Sequence, residues 1–225
     1  AIEISECKHM GIEVLPPDIN QSFHEFAVVP GTNQIRFGLD AIKNVGHGAA
    51  SEILRAREEL GGRFGSLEDF CQTVNPGVVN RKSMESLIKS GALDGFGSRS
   101  QLLHNLDNIL ALSNRLQRDA SSGQVNLFGE TGSQAMPSLS LEMASVEFSA
   151  GEQLLWEREL LGLYLSEHPL EDYETVLSNR SVKIADLKSE MDGADVTVGG
   201  SITEIREITT KNGSKMAFVK LADTS

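Results

Sequence analysis

The sequence is poor in cysteine, tryptophan and tyrosine, with two, one and two copies in 225 residues. Cys7 and Cys71 stand far apart in apolar, helix-like surroundings. That pattern argues against a disulfide framework or a cysteine metal cluster and reads as two buried thiols. Long apolar runs are missing as well, since none approaches the roughly 20 residues of a membrane-spanning helix. The first residues, Ala1-Ile2-Glu3-Ile4-Ser5-Glu6, lack the basic-then-apolar order of a secretory signal. Such a chain reads as soluble and cytoplasmic, without a membrane partner, and long enough for one large or two small domains with their own cores.

Positive charge is the third shortage. Lys and Arg total 20 against 32 Asp and Glu, a net charge of −12, which argues against a protein that coats itself in polyanion. The deficit is uneven: residues 1–100 carry 10 basic and 13 acidic side chains, whereas residues 130–195 carry 4 and 14. A nucleic-acid contact must therefore be local, in the first hundred residues or where Arg206, Lys211, Lys215 and Lys220 recur.

What is present is mostly helical. Residues 2–10 read as a helix end stopped by Gly11, followed by strand-like Ile12-Glu13-Val14-Leu15 and the stiff Pro16-Pro17. After an extended stretch near 23–29 and a turn at 30–33, residues 34–38 read as a strand. Leu39, Ile42 and Val45 predict a helix that ends at Gly46-His47-Gly48. A second helix carrying Ala49, Ile53, Leu54 and Ala56 starts at once. A similar pair follows: Ser66 as N-cap of a helix through Phe70, then, after Asn75-Pro76-Gly77, the run Val78, Val79, Met84, Leu87 and Ile88 closing on Gly91. Residues 98–118 predict one further helix. From Ser121 to about Ser149 polar residues dominate and predict a mobile linker. Helix returns over 151–161, breaks at Gly162, and resumes after His168-Pro169. Two strands, 196–210 and 216–221, flank Lys211-Asn212-Gly213-Ser214-Lys215, an Asn-Gly hairpin signal. Two strands cannot cover their own edges, so the natural chain is expected to continue.

Four constellations could carry chemistry. Gly46-His47-Gly48 lets a backbone turn tightly and approach another surface, with a helix N-terminus behind it. It serves as a connector or as a phosphate contact. A dinucleotide fingerprint is excluded, because Ser51 stands where the third glycine belongs and no strand precedes. His47 has no second histidine or cysteine near it in the sequence, so no metal site is read. Gln124-Val125-Asn126-Leu127-Phe128-Gly129 resembles a short docking peptide, an orienting amide followed by an apolar pair, although the pair could equally fold back on its own domain. Arg81 and Lys82 could touch phosphate or form a solvated face. In the terminal hairpin Ala217, Val219 and Leu221 share one face, expected to be core. Met216, Phe218 and Lys220 share the other, where Phe218 either stacks on a base or joins a core. No nucleophile–base pair and no metal-site spacing is evident.

Taken in order, residues 11–20, 35–46, 83–93, 160–170 and 211–223 resemble the alpha subunit of the bacterial replicative DNA polymerase III, a C-family polymerase. The resemblance implies a mainly α fold, a tandem helix-hairpin-helix domain, followed by the first strands of an OB-fold β-barrel. The implied boundaries are the end of a fingers domain over 1–33, the DNA-binding hairpins over 34–120, a flexible linker with a clamp-binding motif over 121–150, a helical connector over 151–190 and a truncated OB-fold over 191–225. The implied activity of the whole protein is template-directed DNA synthesis, a nucleotidyl transfer. The expected role of this piece is to bind duplex DNA behind the active site and to dock on the sliding clamp.

The residues implied for duplex contact are Lys43, Asn44, Gly46, His47, Gly48, Arg81 and Lys82. Residues 79–94 match a second hairpin that has lost its Gly-x-Gly. Gln124, Leu127 and Phe128 match the internal clamp motif, with Asn126 in place of the usual serine or aspartate. Arg206, Lys211, Lys215 and Phe218 could meet single-stranded template. Partners implied are primer-template DNA, the clamp and other holoenzyme subunits. No catalytic residue, metal ligand or cofactor is expected in these 225 residues, with Mg²⁺ expected for the parent polymerase. The competing reading is a free-standing, non-enzymatic DNA-binding or clamp-adaptor protein.

Overall fold

The computed structural model describes residues 6–7, 10–122, 140–166, 169–170, 173–180 and 182–223. The chain divides into two units, residues 1–165 and 166–225. Among the described residues no helix is long and apolar enough to cross a membrane.

The first unit opens with three short strands, β1 (Glu13–Leu15), β2 (Ala27–Val28) and β3 (Gln34–Arg36). They lie in the order β1-β3-β2, with β1 parallel and β2 antiparallel to β3. Ile35 pairs with Val14 on one side and Val28 on the other. Arg57, reaching over from the helix that follows, donates from Nη1 to the carbonyls of Ile19 (2.9 Å) and Ser22 (2.8 Å) and lies over the Phe23 ring. Burial pushes its guanidinium below the ordinary arginine value, a cost that the two carbonyls and the ring offset.

Helices follow: α1 (His47–Glu59), α2 (Leu67–Thr73), α3 (Arg81–Lys89), α4 (Arg99–His104), α5 (Leu106–Ser122) and α6 (Ala150–Leu161). Four of their starts are written in short polar side chains. Ser66 and Asp69 form a reciprocal capping box on α2, as Ser149 and Glu152 do on α6. Asn80 accepts from Lys82 N and Ser83 N at the head of α3, and Ser98 accepts from Gln101 N at the head of α4. Such caps are each worth about 1 kcal/mol. Gly91, at φ 86°, closes α3 with Ala92 N bonded to Leu87 O at 3.0 Å, the left-handed stop that glycine permits. The core joins Ile53, Phe64, Phe70, Leu87, Ile88 and Leu102, all at most 1% exposed. Fully burying such side chains is worth roughly 1.5–3 kcal/mol each.

The architecture is therefore mainly α, followed by a few strands, as expected, with several local departures. Residues 39–45 form no full helix. A 3₁₀ turn over Leu39–Ala41 is followed by Asn44 in the left-handed region, at φ 69°. The apolar spacing explains this: Leu39, Ile42 and Val45 recur every third residue, and the backbone bonds Ile42 N to Leu39 O and Val45 N to Ile42 O follow the same step. The single helix expected over 98–118 breaks at Asn105. Its buried side chain donates to the carbonyls of Gln101 and Glu142 and accepts from Glu142 N. That exchange holds residues 140–149, expected within the linker, against the helices. Ser100 Oγ reinforces it by accepting from Phe148 N, and Phe148 packs edge-on against Trp156 of α6. Helix α6 itself joins the core of the first unit through Leu160 and Leu161. Cys71 is buried as expected, whereas Cys7 is half-exposed.

The second unit carries α7 (Glu174–Arg180) and an antiparallel hairpin, β4 (Ser201–Thr209) and β5 (Lys215–Ala222). Its turn closes with Gly213 N bonded to Thr210 O and Thr210 N to Ser214 O, with Gly213 at φ 78°. Asn212 keeps a negative φ, so Asn-Gly builds the glycine-bulge form of hairpin turn and not the mirror-image two-residue form. The face expected to be core is not covered here: Ile202, Ile205, Val219 and Leu221 are 41–59% exposed, and Phe218 on the other face is 56% exposed. Two strands offer no second layer to bury either face against.

Candidate nucleic-acid interface

The helix behind Gly46 is built differently from its neighbours. Gly46, in an extended conformation, stands at the N-cap of α1 and supplies no side-chain acceptor, and the first turn of α1 holds no acid. Ala49 N and Ala50 N bond Gly46 O at 2.9 and 3.1 Å, so it is the first two N–H groups of α1, His47 and Gly48, that have no side-chain cap at the positive dipole end. The two glycines are required by nothing inside the molecule. Neither has a positive φ, and a Cβ on Gly46 or Gly48 would meet no atom within 4 Å. Open space lies where each of the two side chains would stand.

The loop before them is fastened to the second hairpin. Asn44 Nδ2 donates to Ser86 Oγ at 3.1 Å, and Ser83 Oγ donates to Asn44 O at 2.9 Å. Ser83 and Ser86 lie on α3, whose first residues are Arg81 and Lys82, so the two groups of predicted contact residues share one scaffold. On the other flank Lys43 N donates to Leu160 O at 2.8 Å.

The cations there are largely committed. Lys43 Nζ lies 3.3 Å from Glu159 Oε1. Arg81 pairs with Asp107 of α5, and the hydrogen bond with that carboxylate raises the guanidinium above its ordinary value. Lys82 is exposed. A backbone-lined surface with little free charge fits weak phosphate contacts, not a basic groove.

His47 is where sequence reading saw least. Its Nδ1 lies 2.7 Å from Asp40 Oδ2, and His24 Nδ1 lies 3.1 Å from Asp40 Oδ1. The two imidazoles stack with centroids 4.4 Å apart. Burial alone would raise the Asp40 carboxyl. Hydrogen bonds from His47 and His24, with their charges, outweigh it and hold the group below the ordinary aspartate value. The isolation of His47 in the sequence is thus undone by the fold, which brings a residue from before β2 beside it. Ser83 and Ser86 were also missed. Their i, i+3 spacing along α3, both buried, was the available sign that another segment packs on that face.

The remaining predicted residues separate. Arg206 faces Phe218 across the β4–β5 ladder, whereas Lys215 pairs with Thr209 on the opposite face and Lys211 sits in the turn. Gln124, Leu127 and Phe128 lie outside the described residues.

Comparison with known proteins agrees with the resemblance read from the sequence. Residues 11–102 match the family model described as a helix-hairpin-helix motif. Over 99% of its length the chain is 40% identical to the DNA polymerase III subunit alpha of Deinococcus radiodurans, covering 17% of that protein. The corresponding subunit of Campylobacter jejuni is 34% identical over 99% of the chain, and that of Thermus aquaticus 38% over 98%. The chain thus spans less than a fifth of the length of the first of these relatives and resembles one continuous stretch of each.

Proposed function

We propose that the chain is the stretch of a replicative DNA polymerase that holds the duplex behind the active site and ties the enzyme to its sliding clamp. The observation that carries the first half is the uncapped N-terminus of α1, entered through a glycine, with open space where two side chains would stand. Backbone N–H groups and the positive end of the helix dipole would meet a phosphate there without reading bases. The second hairpin, α2–α3, has its helix starts closed by Ser66 and Asn80, so it contributes less contact and acts chiefly as the brace of the first.

Docking on the clamp falls to Gln124, Leu127 and Phe128. The β4–β5 hairpin is read as the opening of an OB-fold, with Arg206 and Phe218 on the face that could stack single-stranded template. Nucleotidyl transfer, Mg²⁺ and the contacts with other holoenzyme subunits belong to the longer protein. A free-standing adaptor is separated from this reading by sequencing the full open reading frame, which on the present reading encodes the palm carboxylates upstream.

The direct test is fluorescence anisotropy with a labelled duplex at several salt concentrations. The expected affinity is weak, roughly 10⁻⁴ to 10⁻⁶ M, with little sequence preference and a salt slope of few phosphates. Gly46→Val and Gly48→Val should each weaken it while leaving the circular dichroism spectrum intact. Unchanged affinity in both variants would overturn the assignment.

A further inference from the structure

His24, Asp40 and His47 bring two imidazole nitrogens and a carboxylate to one point on the surface, with their candidate donor atoms all within 4.8 Å of one another. We propose that these three residues bind a single divalent transition-metal ion, zinc by the character of the donor set, beside the Gly46–Gly48 hairpin. Metal binding at these three side chains does not depend on duplex binding and can be measured without DNA.

The donors fit the chemistry. Two imidazoles and one carboxylate are the ligands that zinc accepts at roughly 2.0–2.2 Å, and a hard ion such as Mg²⁺ prefers all-oxygen surroundings. Asp40 already lies 3.1 Å from His24 Nδ1 and 2.7 Å from His47 Nδ1, close to the separations between neighbouring ligands in a tetrahedral zinc sphere. Rotation of the side chains exchanges the two hydrogen bonds for metal bonds, each neutral imidazole ligating through Nδ1 as the tautomer that carries its proton on Nε2.

The frame is rigid. Asp40 N donates to His24 O at 3.1 Å and Leu39 N to Phe23 O at 2.9 Å, so two of the ligands ride on backbones bonded to each other. Gly38 permits this approach, since a Cβ there would lie 2.6 Å from His24 O and 2.6 Å from the Glu25 carbonyl carbon. The third ligand is fixed as the first residue of α1. The far nitrogen of His24, Nε2, lies 3.5 Å from Ser51 Oγ, the placement of an outer partner that orients a ligating imidazole. A fourth position stays open to water, because His47 is 74% exposed and an adjoining hollow of about 440 Å³ is lined by His24, Asp40 and Phe26.

Isothermal titration of Zn²⁺ into the metal-stripped chain tests the site, with Co²⁺ absorption reporting nitrogen–oxygen tetrahedral ligation. One equivalent is expected to bind, with affinity at least tenfold lower in His47→Gln and in Asp40→Asn. It should be unchanged in His104→Gln, an exposed histidine elsewhere, and millimolar Mg²⁺ should not displace the zinc. Should Asp40→Asn fail to fold, the exposed His47→Gln still decides. Equal binding by the wild type and a His24→Gln/His47→Gln double variant, loss only in His104→Gln, or displacement by Mg²⁺ would each overturn the proposal.

Discussion

Asn44 is the left-handed residue of the first hairpin, at φ 69°, and its side chain bonds Ser86 of the second at 3.1 Å. One residue thus supplies both the turn of one hairpin and the joint between the two. The backbone conformation disfavours any residue with a Cβ by roughly 1–2 kcal/mol, asparagine less than most. The side-chain hydrogen bond adds about 1 kcal/mol. Asn44→Ala should therefore lower unfolding free energy by about 2 kcal/mol, and Asn44→Gly, which forfeits only the bond, by about half of that. Denaturant melts of the two variants check the order; an equal loss in both would show that the backbone term is absent.

Glu52 fastens α1 to the turn between α2 and α3. Its Oε1 accepts from Asn75 N at 2.8 Å, and its two oxygens take Nη2 and Nε of Arg55. The hydrogen bonds from Arg55 come first among the causes that hold its carboxyl below the ordinary value of 4.5, with burial opposing and Asn75 N assisting. A group lowered by folding stabilises fully at pH above its unfolded value and ceases to do so as pH falls through the lowered one. Glu52→Gln should cost about 1 kcal/mol at neutral pH, a discounted figure for a partly solvated pair. The gap from wild type should close in melts run progressively below pH 4.5.

Cys71 is 0% exposed, and burial pushes its thiol up to about 11. Because the thiolate is the reactive form, alkylation at pH 8 should be slow in the folded chain and rapid after denaturation. Cys7, half-exposed, should be modified in the native state. Mass spectrometry of native and unfolded samples distinguishes the two sites, and rapid native labelling of Cys71 would contradict its burial.

Truncating Leu127 and Phe128 together should remove most clamp affinity, since apolar anchors at an interface centre are commonly worth about 2 kcal/mol or more each. Val125→Ala should matter little. Titration calorimetry with purified clamp decides, and equal binding by wild type and Leu127→Ala/Phe128→Ala would reduce the segment to a spacer.

How much of this was legible depends on how locally each feature is determined. Ser66, Gly91 and the Asn212-Gly213 turn are short-range chemistry, and the structure has a cap, a stop and a turn at those places. The helix predicted over 39–45 failed because a three-residue spacing was read as helical. What replaces it depends on Ser83, Ser86 and Leu160, far away in the chain. The division at Asn105 and the packing of 140–149 share one long-range exchange, Asn105 with the Glu142 backbone, which no window of composition contains. His24 escaped notice for the same reason. Its partners, Asp40 and His47, become neighbours only once Gly38 has let two backbone segments touch.

The bond from Lys43 N to Leu160 O, together with the ion pair of Lys43 with Glu159, 116 residues apart, places a timing constraint on biosynthesis. At roughly 5–20 residues per second, the ribosome needs on the order of 6–23 s between making the hairpin loop and making the carbonyl that receives its N–H. During that interval α1 can form from local contacts, but its leading edge lacks its final partner. The nascent hairpin region therefore reaches its mature shape only when α6 has left the exit tunnel.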